Sequence, residues 1–153
     1  MERSKFLADH MLGRLARWLR IMGFDVEYAA SSLSDTEIIE KCKSHDLFLL
    51  TRDKELHSRY LPSMYFTSQD HREQIRQFLS TFTVDKNLVF TRCTECNHPL
   101  ENRDTADLKG NIPEGVRERF STVLYCSKCG KFYWEGDHYD KIVQFLRGLG
   151  IEI

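Results

Sequence analysis

The N-terminal part of the chain alternates short apolar runs with longer stretches of helical period. "SKFLA" (Ser4 to Ala8) has the length and apolarity of a buried strand. Met11, Leu12, Leu15, Leu19 and Met22 then recur at helical spacing, and Gly23 supplies a stop. "FDVEYA" (Phe24 to Ala29) alternates as a second strand. In "SDTEIIEKCKSHD", Ser34 followed three residues later by Glu37 predicts a capping box, which puts Asp35 at the first helical position. "LFLLT" (Leu47 to Thr51) is apolar without alternation, as strands covered on both faces are. "RDKELHSRY" reads as a helical turn and "SMYFT" (Ser63 to Thr67) as a fourth strand. "DHREQIRQFLSTF" reads as a helix with Ile75, Phe78, Leu79 and Phe82 on one side. This order predicts an α/β domain of three layers around a mostly parallel sheet.

After Phe82 the pattern changes. Cysteine pairs and short aromatic runs ("TVLYC", "KFYW") replace the βα rhythm, and "HYDKIVQFLRGL" closes the chain as a helix. A boundary is expected between Thr83 and Val89, giving domains at 1–84 and 85–153.

Composition narrows the classes. With 153 residues, 41% hydrophobic and 29% charged, the chain is expected to be globular, with a core and room for a small satellite domain. Its apolar runs are too short to cross a bilayer, and the N-terminus has no apolar stretch of signal-peptide length, so a cytoplasmic protein with no membrane partner is expected. Net charge is −1, with 13 basic and 13 acidic residues up to Leu88 and 9 and 10 after it, which excludes a general polycationic coat for nucleic acid. Arg14, Arg17 and Arg20, with no acidic residue between His10 and Met22, form a local basic patch.

Five cysteines without an export signal do not read as a disulfide framework. Cys42 stands alone and is expected to be buried. Cys93-x2-Cys96 and Cys126-x2-Cys129 lie 29 residues apart and match two zinc knuckles, each delivering two thiolates from one tight turn. Such turns favour a positive-φ residue after the second cysteine, where Asn97 and Gly130 stand. A structural Zn²⁺ ribbon follows, with a surface for RNA or a protein partner.

Three aspartates carry the remaining chemistry. Asp9 ends strand one, Asp35 opens a helix and Asp53 follows strand three in "LLTRD". Each alone is explained by helix capping or the helix dipole. Together they fall on the rim formed by the C-terminal strand ends, where open α/β sheets carry functional crevices. Carboxylates converging there call for a hard cation, Mg²⁺ or Mn²⁺, able to bind phosphate oxygens. Thr51 would orient a carboxylate or a water, and Arg14, Arg17 and Arg20 would clamp phosphates.

"KFLADHMLGRLARWLRIMGFD", "SDTEII", "LLTRDKEL", "CTECN" and "YCSKCGKFYWEGDH", in that order, resemble the Mut-seven C-terminal ribonuclease family, a branch of the PIN-like nucleases with an attached zinc ribbon. The resemblance covers nearly the whole chain. It implies a PIN-like α/β/α domain that hydrolyses RNA with Mg²⁺ or Mn²⁺ on Asp9, Asp35 and Asp53, and a "TRD" element that supplies Thr51 and Arg52. PIN-like sites usually have a fourth acid, for which Asp70 is the placed candidate. Two other readings stay open: a non-catalytic RNA- or protein-binding module with a degenerate site, and a zinc adaptor without an acidic pocket.

Overall fold

Strands β1 (Lys5–Ala8), β2 (Asp25–Tyr28), β3 (Leu47–Thr51) and β4 (Ser63–Tyr65) form one sheet in the order β2-β1-β3-β4, and every pairing is parallel. The computed structural model describes residues 4–153. Helices α1 (Gly13–Ile21), α2 (Asp35–His45), α3 (Lys54–Arg59) and α4 (His71–Leu79) connect and cover the strands. The expected α/β architecture is therefore observed.

Side-chain alternation builds the three layers. Phe6 points to one face, where its ring centroid lies 5.1 Å from Phe78 and 4.9 Å from Phe82, and Phe24 lies 4.8 Å from Phe78. Its neighbour Leu7 points to the other face, into a cluster with Ile38, Ile39 and Cys42 of α2, Leu49 of β3, and Leu56 and Tyr60. Burial on both faces is why "LFLLT" lacks alternation. The Cys42 thiol is pushed up to about 11 by that burial and by the charge of Glu27, with Lys41 opposing. It behaves as a small apolar side chain.

The helix ends follow their local signals. Ser34 Oγ accepts from Glu37 N–H at 3.1 Å while Glu37 Oε1 accepts from Ser34 N–H at 3.1 Å, closing the capping box. Gly23 ends the turn after α1 with φ +93°, and a Cβ there would stand 2.4 Å from the Leu88 carbonyl oxygen. That close approach, with Phe90 N–H donating to Ile21 O at 2.8 Å, keeps the segment through Phe90 with the sheet. The chain divides into two compact units after Phe90.

The second unit has an antiparallel sheet of β5 (Glu101–Asp104), β6 (Thr122–Tyr125) and β7 (Phe132–Tyr133), with helices α5 (Glu114–Arg119) and α6 (Asp137–Gly148). β5 is "ENRD", exposed throughout, so no apolar pattern marks it. Ile112, Val123, Leu146 and Ile151 are buried here, with Cys93 and Cys126. Among the described residues no helix is long and apolar enough to cross a membrane.

Candidate functional site

The connection from β1 leads to β2 on one side, whereas that from β3 leads to β4 on the other. The crevice between their C-terminal ends is therefore the sheet's topological switch point, where ligands bind in open α/β sheets. Asp9 and the segment Thr51-Arg52-Asp53 line it. Asp9 N–H donates to Leu50 O at 3.0 Å, which fixes the two strand ends side by side.

Asp9 is 2% exposed, a cost offset by donors on both carboxylate oxygens. Met11 N–H donates to Oδ1 at 3.0 Å. Arg52 N–H donates to Oδ2 at 3.0 Å, and the hydroxyl of fully buried Thr51 donates to the same oxygen. Thr51 Oγ1 in turn accepts from Asp53 N–H at 2.9 Å. One hydroxyl thus ties the Asp9 carboxylate to the Asp53 backbone.

Asp53 caps α3, its Oδ1 accepting from Glu55 N–H at 2.9 Å and Leu56 N–H at 3.2 Å. Its Oδ2 takes no hydrogen bond from a described residue. Asp35 stands at the first position of α2, with Oδ2 3.9 Å from Arg59 Nη1. Asp70 caps α4 by accepting from Arg72 N–H at 2.9 Å. The structure brings Asp9, Thr51 and the Asp53 backbone together. Among the described residues, the group of side chains close enough to share a metal is formed by cysteines.

The arginines separate. Arg14 and Arg17 are exposed on α1, whereas Arg20 is 5% exposed and donates from Nε to Val26 O at 2.9 Å. Arg20 is thus a structural residue and not the exposed phosphate clamp that its place in the basic patch suggests. Arg52 Nη2 donates to Thr67 O at 3.1 Å, while its buried Nε has no acceptor among the described residues.

In the second unit, the Sγ atoms of Cys93, Cys96, Cys126 and Cys129 all lie within 4.8 Å of one another. Cys93 and Cys129 sulfurs are 3.5 Å apart and those of Cys96 and Cys126 3.4 Å, near the ~3.8 Å spacing of four thiolates on one zinc. The two knuckles share one geometry. Cys93 N–H donates to His98 O at 2.9 Å and Cys126 N–H to Lys131 O at 2.9 Å. Asn97 N–H donates to Cys93 O at 2.9 Å and Gly130 N–H to Cys126 O at 2.8 Å. Asn97 and Gly130 have φ of 71° and 77°, as their positions in the knuckles predict. The donor set fits a structural Zn²⁺.

Tyr133 is the site residue the sequence pattern hid, because it reads there only as a strand aromatic. Its hydroxyl lies 3.1 Å from Cys93 Sγ and accepts from Thr94 N–H at 3.3 Å. Burial raises the Cys93 thiol, but hydrogen bonds from Tyr133 and from the Cys96 and Glu95 backbone outweigh it and bring Cys93 down to about 7. Desolvation and the neighbouring Cys93 and Cys126 sulfurs push Cys129 up to about 12 although its side chain is exposed, so a metal must displace its proton. His98 stays outside the sulfur group, with Nε2 3.3 Å from Ser127 Oγ across the two knuckles.

A parallel sheet with a buried acid at its switch point and a separate four-cysteine cluster define an α/β protein of two units. The chain belongs to the Mut7-C RNAse domain family, whose model matches residues 4–146, nearly the whole chain. No curated protein and no solved structure gives a significant match.

Proposed function

We propose that the protein is a metal-dependent ribonuclease that hydrolyses RNA phosphodiester bonds to a 5′-phosphate and a 3′-hydroxyl. The observation that carries this reading is the buried Asp9 carboxylate, linked through Thr51 to Asp53 at the switch point. Two carboxylates on adjacent strand ends, one with an uncommitted oxygen, form a donor set suited to Mg²⁺ or Mn²⁺. When bound, such a cation polarises a phosphodiester and lowers the pKa of water.

The residues take distinct parts in this reading. Asp9 and Asp53 would hold the cation, with Asp35, at the start of α2, as the further candidate ligand. Thr51 positions the Asp9 carboxylate. Arg52, together with Arg14 and Arg17 on α1, holds the RNA backbone. Zn²⁺ on Cys93, Cys96, Cys126 and Cys129 keeps the ribbon folded as a second surface for RNA or a ribonucleoprotein partner. A cytoplasmic setting belongs to the same reading, since free thiols persist there.

The test pairs cleavage of labelled RNA with Mn²⁺ binding by calorimetry, in the wild type and in Asp9→Asn and Asp53→Asn. Both substitutions are expected to lower cleavage at least about a hundredfold and to weaken Mn²⁺ binding about tenfold or more. Unchanged cleavage in both variants would overturn the reading. A second reading, a non-catalytic RNA- or protein-binding module, is favoured by the Asp35–Arg59 pairing, which engages one of the three acids. RNA binding without turnover, unaffected by these substitutions, would select it.

A further inference from the structure

Exposed large apolar side chains are few among the described residues, and two of them flank the buried acid. Met11 is 45% exposed and Tyr28 44%. Both sit at the C-terminal rim of the sheet. Tyr28 is the last residue of β2, in register with Ala8, the residue before Asp9. The Met11 N–H donates to Asp9 Oδ1, and the Tyr28 hydroxyl donates to the carbonyl of His10, the residue between Asp9 and Met11.

The Tyr28 ring is held as well as exposed. Its hydroxyl is anchored to main chain, and Gly13 leaves space beside it: a Cβ at position 13 would stand 3.0 Å from the Tyr28 oxygen and 3.2 Å from Cζ. An aromatic ring fixed this way presents its apolar surface to solvent with little rotamer entropy left to lose. Holding such a surface in water is unfavourable, and a hydroxyl anchored to a neighbouring carbonyl keeps the ring from folding back into the core. Arg14, the residue after Gly13 on α1, is exposed, and no acidic residue lies between His10 and Met22.

We propose that Tyr28, with Met11 beside it, is a stacking platform for an unpaired base of single-stranded RNA, next to the phosphate that lies over Asp9. The substrate class rests on the ribonuclease reading above. A flat ring next to a cationic helix fits a nucleotide, with base on the ring and phosphate toward the arginine, and it stacks any base. A paired base keeps its faces inside the duplex and gives the ring nothing to cover. The platform therefore selects single strands over duplexes.

Binding decides the matter separately from chemistry. A short fluorescein-labelled single-stranded RNA and its duplex form are titrated with the full-length protein in buffer without added Mg²⁺ or Mn²⁺. Tyr28→Ala is expected to weaken single-strand binding about tenfold, while Tyr28→Phe, which keeps the ring but loses its anchor to the His10 carbonyl, loses less, about threefold. Met11→Ala, at an exposed side chain, gives a smaller loss in the same direction. Duplex affinity stays unchanged throughout. An unchanged single-strand affinity in Tyr28→Ala, or an equal loss for duplex, overturns the platform and leaves the exposed pair to a protein partner. If Asp9→Asn abolishes cleavage while Tyr28→Ala binds normally, the platform fails and the nuclease stands. If Tyr28→Ala loses binding while Asp9→Asn still cuts, the platform stands and the metal site fails.

Discussion

The sheet unit and the ribbon unit hold their chemistry-bearing residues in place by opposite means. In the sheet unit a crowded apolar interior sets the strand register, and register alone carries Asp9 beside Thr51 across 42 positions of sequence. In the ribbon unit only Ile112, Val123, Leu146 and Ile151 join Cys93 and Cys126 as buried apolar positions among the described residues. Four thiols meet there because two knuckles fold to the same local hydrogen-bond plan. The first unit makes a site from packing; the second needs a site in order to pack.

Removing zinc should separate the two most sharply. Structural zinc contributes on the order of 10 kcal/mol or more to such a unit, more than its few buried apolar groups supply. Stripping the metal, or Cys126→Ser, is expected to abolish hydrogen-exchange protection in β5 to β7 and α6 while β1 to β4 stay protected. Ribbon amides that remain protected would show that the comparison is wrong. Acid should act in the same direction. Each thiol sheds a proton on binding, so zinc affinity rises with pH, by about tenfold per pH unit for each proton released. Cys93, brought down to about 7, gives up its proton more readily than Cys129, pushed up to about 12.

The converse experiment empties the sheet unit's interior. Phe78→Ala removes a fully buried ring that touches Phe6, Phe24 and Phe82, and is expected to cost about 3–5 kcal/mol in denaturant unfolding of that unit. Zinc stoichiometry should not change. A smaller effect tests the rim. Thr51→Val leaves Asp9 Oδ2 short of a donor and Asp53 N–H without its acceptor, at about 1–3 kcal/mol, and Thr51→Ser should recover most of it.

Legibility in the sequence followed the same division. The strands and helices of the sheet unit carry strong local signals, such as the continuous apolar run of β3 and the capping box of α2, so their order was readable. The knuckles were readable because a CxxC turn encodes its own geometry, down to the positive φ of Asn97 and Gly130. β5 was not, because "ENRD" is exposed on both sides and has no apolar residue to mark it as a strand. Neither was the pairing of Asp35 with Arg59, which joins residues from successive βα units through side chains long enough to choose among several partners. Tyr133 escaped for a related reason: its contact with Cys93 spans 40 positions and depends on how the two halves of the ribbon close.

Cys42 gives these two units separate clocks. Its thiol is fully enclosed in the sheet unit and held up near 11, so a thiol-modifying reagent near neutral pH reaches it only when that unit opens. The ribbon thiols become reactive as soon as the metal leaves. A single modification time course would therefore show a burst from Cys93, Cys96, Cys126 and Cys129, followed by one slow thiol whose rate reports the opening of the sheet.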